Sequence, residues 1–315
     1  MRKTFFALIT IAIIFAAFFV LYENPNIINL HSLLPKTAMP ASTQTPSSTS
    51  TPNPVTNTPY DELVDYDLSL INSDRQQNGL QNVSLGSIDS AQLHADDMLK
   101  NGYFSHWDLN GYKPYMRYTI VGGQGAVAEN CAWQGETGNT VAIDIKLALK
   151  DLEYSMMYDD ASSNWGHRDN ILNPFHNEVN IGIAYDNNNV YFVEDFEDDY
   201  VQWSTLSYSG GQVEMSGTII QTNLTLSQVA IYYDALGNLT VQQLSNPPYK
   251  DSYDSGTYVG EVSPPPPAGS YYSQSASGII IIAATWSQTG QNFDINFSLP
   301  SAFSQDGNGV YTLYL

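Results

Sequence analysis

Cysteine is almost missing from this chain: Cys131 stands alone among 315 residues. No disulfide can form within it, so stability has to come from apolar burial, aided at most by a metal. A solitary cysteine of this kind reads as a small buried hydrophobe before it reads as a nucleophile. Positive charge is also scarce. Lys and Arg total 11 against 32 Asp plus Glu, and the net charge of −21 argues against nucleic acid as a partner. Charged residues make up only 14% of the chain, whereas 43% is hydrophobic and 12% aromatic, which is ample for real cores. Such a balance suits an exported surface protein better than a salt-adapted one. There is no C-x-x-C pair, no G-x-S-x-G, no Gly-rich phosphate loop and no internal repeat.

What is present divides the chain into four parts. Arg2 and Lys3 precede an apolar run from Phe5 to Tyr22, about long enough to span ~30 Å of hydrocarbon. No A-x-A site follows closely, so residues 1–22 read as a membrane anchor in preference to a cleaved signal segment. Either way the remainder is expected outside the cell, tethered or secreted. Residues 23–59 are dense in Ser, Thr and Pro and cannot bury enough apolar surface to order themselves, which predicts a disordered linker. N-x-Ser/Thr sequons begin at Asn82, Asn223, Asn238 and Asn296 and suit a glycoprotein.

From Tyr60 the pattern turns helical. Thr58-Pro59 predicts a helix start and Asn78-Gly79 its end. A second helix is expected over Ser87–Lys100 and a third from about Asn139 to Tyr158. A Gly-rich stretch, Val121–Asn130, lies between them. Strands at Asn180–Tyr185 and Val190–Phe196 flank the turn Asn187-Asn188-Asn189. The pattern is α+β over residues 60–203. Residues 204–315 read as short strands, among them Gln212–Gln221, Leu224–Tyr233, Gly278–Trp286, Phe293–Leu299 and Val310–Leu315, and so as an all-β module, an immunoglobulin-like sandwich.

Histidine is the informative residue. Apart from His31 in the linker, the histidines are His94, His106, His167 and His176, all inside 60–203. Imidazole is a common zinc ligand, and carboxylates complete or polarise such sites. The alternative is that His106 and His167 merely orient loops through carboxylates. His94, on the second helix, reads as a packing residue, His176 as exposed, and Arg168 as tying down its loop through a carboxylate. The acidic run Glu194, Asp195, Glu197, Asp198 and Asp199 reads as a solvated rim and matches no calcium loop.

The segments LINSDRQQNGL, AQLHADDM, YFSHWDLNGYKPYMR, AENCAW, WGHRDNILNP and NIGIAYD, in that order, resemble the successive motifs of the CAP domain (SCP-like extracellular domain) of prokaryotic type. The resemblance covers about Tyr60 to Tyr200 and implies an α-β-α sandwich with a cleft of two histidines and two acids, which in some members holds a divalent metal. His106 matches the histidine of F-S-H, His167 that of G-H-R, and Glu129 the glutamate of G-E-N, with Ala128 in place of its glycine. Glu153 is the candidate second acid, with Asp151 or Asp159 as substitutes. His106 and His167 are then the metal ligands, for zinc before calcium. The implied role is binding, with a surface glycan, envelope component or protein as partner. A metal-assisted hydrolase is the alternative, and an adhesive protein with an idle cleft is a third reading. Ser105 is poorly placed as a nucleophile, because neighbouring side chains in an extended segment point apart.

Overall fold

The computed structural model describes residues 20–22, 58–135, 143–272, 278–300 and 309–315. The linker expected over 23–59 lies outside them except for its last two residues, as does the apolar segment except for Val20–Tyr22, a short strand β1. Among the described residues no helix is long and apolar enough to cross a membrane.

Helix α1 spans Tyr60–Gln77 and starts one residue later than its Thr58-Pro59 signal implies, with Pro59 itself at the N-cap position. Asp61 and Glu62 fill the first turn, where the helix dipole favours acids. Asn78 closes the helix and Gly79 leaves it at φ +74°. The two-residue strand β2 is Ser84–Leu85. Helix α2, Ser90–Asn101, is shorter than expected and stops at Gly102 in the left-handed conformation. Helix α3, Pro114–Ile120, and strand β3, Ala126–Gly135, are additions to the elements expected from sequence. Helix α4, Ile145–Tyr158, opens on Asp144, whose carboxylate accepts from Leu147 N; residues 139–142 of the expected helix lie outside the described ones. A short α5, Gly166–Ile171, leads into the hairpin of β4, Glu178–Tyr185, and β5, Asn189–Asp198.

These strands form a sheet in the order β2-β4-β5-β3. Leu63 and Ile71 of α1 join Leu149 and Met156 of α4 on one face, against Ile181, Phe192 and Phe196. On the other face Ala91, Ala95 and Met98 of α2 pack on Cys131, Ala184 and Val193. The α-β-α sandwich follows from period-two alternation along β5, where every other side chain belongs to the opposite core. Gly182 allows α2 to lie close, since a Cβ there would sit 2.2 Å from the Ala91 backbone.

The same alternation corrects the acidic rim. β5 continues through Asp198, so Glu194, Asp195 and Glu197 point into the two cores and are buried.

The rest of the chain is two sheets on one core. Strands β6 (Val201–Ser209), β7 (Gln212–Ile219) and β8 (Val229–Ala235) precede a one-turn helix α6 (Val241–Leu244). Then come β9 (Thr257–Ser263), β10 (Ile279–Ile282), β11 (Thr285–Thr289), β12 (Asn292–Ser298) and β13 (Gly309–Tyr314). The sheets run β1-β13-β8-β9-β10 and β11-β12-β7-β6, and Met215, Ile295, Ile231 and Leu313 meet between them. Gly278–Trp286, one strand in the sequence reading, divides into β10 and β11 in different sheets.

The two regions are joined through α3. Lys113 is buried, and its Nζ lies 2.6 Å from Asp234 Oδ1 and 2.5 Å from Asp254 Oδ1. Tyr115 Oη donates to Asp234 Oδ2 at 2.6 Å.

Candidate functional site

His106 follows α2 in an extended segment. Its Nδ1 is 2.9 Å from Glu129 Oε1, on β3. The second oxygen of Glu129 accepts from Arg117 Nη2 at 2.5 Å, and Arg117 Nη1 donates to the His106 carbonyl at 2.7 Å. Helix α3 therefore aims one guanidinium at the histidine–glutamate pair. Burial alone would raise the Glu129 carboxyl, but Arg117 and the neighbouring imidazoles hold it well below the usual carboxylate range. Cys131 Sγ donates to Glu129 Oε1 at 3.1 Å, and burial beside that carboxylate pushes the thiol up, which suits an inert cysteine. His94 is buried with Nε2 2.8 Å from the Ser105 carbonyl, and burial lowers its pKa to about 3.

His167 sits in the first turn of α5, and Asp160 organises that turn. Asp160 Oδ1 is 2.7 Å from His167 Nδ1, while Oδ2 accepts from His167 N at 2.9 Å and Arg168 N at 3.3 Å. The loop reaches α5 through Asn164 and Trp165, both at positive φ. Arg75 of α1, fully buried, donates to the carbonyls of Ile171, Asn173 and His176 and holds the far end of α5. Arg168 does tie down its loop, but through the Met157 carbonyl at 2.9 Å and not through a carboxylate side chain.

His176 is not exposed as its sequence context suggested. It is buried, stacks on Phe196, and bridges Asp198 Oδ1 at 2.7 Å and Asn170 Oδ1 at 2.8 Å. Asn170 in turn donates to Asn130 Oδ1 at 3.0 Å, and Asn130 donates to the His167 carbonyl at 3.2 Å.

His106, Glu129 and His167 line one cavity of about 700 Å³. The fourth predicted member does not join them. Glu153 faces inward from α4 and lies with Asp67 and Glu194, buried away from the cleft. The acid paired with His167 is Asp160. Its signal in the sequence is local, since an Asp ahead of G-H-R can cap the short helix that follows.

The opposite wall comes from the C-terminal region. Lys250, Ser252 and Tyr253 line the same cavity. The Tyr253 ring lies 5.0 Å from that of His106, and its Oη accepts from Glu129 N at 2.9 Å. Ser105 Oγ donates to the Tyr249 carbonyl at 2.6 Å, so this hydroxyl is spent on docking.

Residues 68–196 match the family model CAP, the cysteine-rich secretory protein family. The chain carries a CAP-superfamily domain. Four chains of known structure match as well. One is described as the CAP domain of Enterococcal PrgA; it is similar at 16% identity and a TM-score of 0.34 over 48% of this chain and 66% of that one, just under two thirds of its length. No curated protein matches.

The CAP match takes in His106, Arg117, Glu129, Asp160 and His167, whereas Lys250 and Tyr253 lie beyond it. Among the described residues, two buried groups have metal-ligand composition: His94 with Glu129 and Cys131, and Asp67 with Glu153 and Glu194. The first is a poor host. Both Glu129 oxygens are already engaged, and the Arg117 guanidinium would repel a cation there. At His106 and His167, by contrast, Nδ1 is committed to a carboxylate and Nε2 has no hydrogen-bond partner among the described residues. Metal-ligating histidines are oriented in this way, with one ring nitrogen on an acid and the other facing the ion.

Proposed function

We propose that this is an exported CAP-domain protein whose cleft binds a divalent metal or a small ligand, and that its role is recognition at the cell surface. What supports the reading is that His106 and His167 line one cavity, each with its Nδ1 tied to an acid. In it His106 and His167 hold the metal through Nε2, zinc before calcium, while Glu129 and Asp160 fix the rings. A bound metal would supply Lewis acidity and positive charge toward an oxygen of the ligand. The partner is a surface glycan, an envelope component or a protein. The CAP-type region and the β-rich region act as two units that share the cleft, on a chain tethered by its N-terminal apolar segment.

Binding is preferred to hydrolysis on the chemistry of Glu129. A general base works best with a pKa near the working pH, and Arg117 holds this carboxyl far below it. Calorimetric zinc titration of the full chain tests the reading. One equivalent should bind, and His106→Ala and His167→Ala should each weaken binding at least tenfold. Unchanged affinity in both variants would overturn it.

A further inference from the structure

α1, α4 and β5 each send one carboxylate into the same closed space between the helical layer and the sheet. Asp67, Glu153 and Glu194 are 0%, 2% and 0% exposed, and one oxygen of each lies within 4.8 Å of the others. Acidic clusters on surfaces are common and mean little. This one is sealed, and its oxygens lack donors. As carboxylates, both oxygens of Asp67, both of Glu153 and Oε1 of Glu194 meet no donor, and Glu153 and Glu194 stand close enough to share a proton. Asn130 Nδ2, 3.1 Å from Glu194 Oε2, is the one donor to reach the trio, and no Lys or Arg among the described residues pairs with it.

Unpaired buried carboxylates must be neutralised by protons or by a cation. Protons could do so through an internal network, since three acidic hydrogens, each joining a hydroxyl oxygen to a neighbouring carboxyl oxygen, can engage all five orphaned oxygens. A single hard cation can take them together. Calcium accepts six to eight oxygens at about 2.3–2.6 Å, so oxygens on one ion stand no more than roughly 5 Å apart, a limit these three satisfy. Zinc prefers nitrogen and sulfur, and magnesium keeps several waters in a tight octahedron.

We propose that Asp67, Glu153 and Glu194 form a structural calcium site at the junction of α1, α4 and β5, separate from the histidine cleft. The ion would tie the helical layer to the sheet through three rigid elements. Asn130, which touches both Glu194 and the His167 carbonyl, places the ion one residue away from the cleft wall.

The test uses the full chain carrying His106→Ala and His167→Ala, so that the cleft cannot contribute, stripped of metal with a chelator. Calcium chloride should then bind at one equivalent by calorimetry and raise the unfolding midpoint by several degrees. Adding Asp67→Asn and Glu153→Gln, which keep side-chain size, should weaken binding at least tenfold and abolish the shift. Elemental analysis of the purified wild-type chain, needing no variant, should find one calcium retained per molecule. The proposal is overturned if calcium neither binds nor shifts the midpoint, if the amide substitutions leave its affinity unchanged, or if the wild-type chain carries no calcium and is unaffected by it.

Discussion

Tyr253 Oη accepts the backbone N–H of Glu129 at 2.9 Å across 124 residues of chain, while its ring packs on His106. One side chain from beyond the CAP match thus touches both members of the pair that orients the cleft. Tyr253→Phe keeps the ring but leaves the Glu129 amide without an acceptor, which costs about 1–2 kcal/mol in denaturant unfolding. Zinc affinity should fall a few-fold in the same variant and further in Tyr253→Ala, where the His106 ring loses its support.

Arg117 carries the electrostatics of the site. Arg117→Met strands a buried carboxylate and should cost about 3–5 kcal/mol at pH 7. The sign with pH is fixed by the lowered Glu129 pKa. Its stabilisation is present above the ordinary carboxylate range and is lost as pH falls toward the folded value. The gap between wild type and variant should therefore narrow in urea unfolding repeated below about pH 4.

Lys113 fastens the two regions unequally. Asp234 is buried and Asp254 has its side chain 81% exposed. Lys113→Met should cost about 3–5 kcal/mol by leaving Asp234 buried without its cation. Asp254→Asn should cost less than about 1 kcal/mol, as exposed pairs do. Equal losses in chemical unfolding would show that the buried pair is not the fastener.

Glu197 and His94 set opposite slopes of stability with pH. Burial raises Glu197 to about 7, even though Tyr118 and Asn180 donate to it. Its folded form holds a proton that the unfolded chain releases, so its contribution improves as pH falls through 7 toward the unfolded value. His94, lowered to about 3 by burial, costs stability as pH falls below its unfolded value near 6.5. Glu197→Gln should flatten the wild-type gain between about pH 7 and 4.5 and leave the His94 loss below about pH 6.5 in place, as read by thermal unfolding from about pH 8 to 4.

Much of the CAP domain is legible before any coordinates. α1, α2 and α4 show helical spacing, β4 and β5 flank an Asn-rich turn, and His106, Glu129 and His167 sit in recognisable motifs. β3 is hidden because Ala126–Gly135 follows a glycine-rich approach and carries Glu129 and Asn130 inside it. The acids of β5 mislead for a related reason: a run of carboxylates looks solvated until the strand is seen to continue and turn alternate members inward. Sequence reading favours Glu153 over Asp160 because helical position alone does not say which way a side chain faces. Lys250 and Tyr253 have no local signal, since their place in the cleft exists only once the β-rich region has docked.

On the proposed reading, two imidazoles, each braced by an acid, share one ion in the cleft. An anomalous difference map from zinc-soaked crystals of the full chain tests it directly. A single strong peak is expected at about 2.0–2.1 Å from both His106 Nε2 and His167 Nε2. A cleft with no peak, or zinc bound to only one of the two rings, would contradict it.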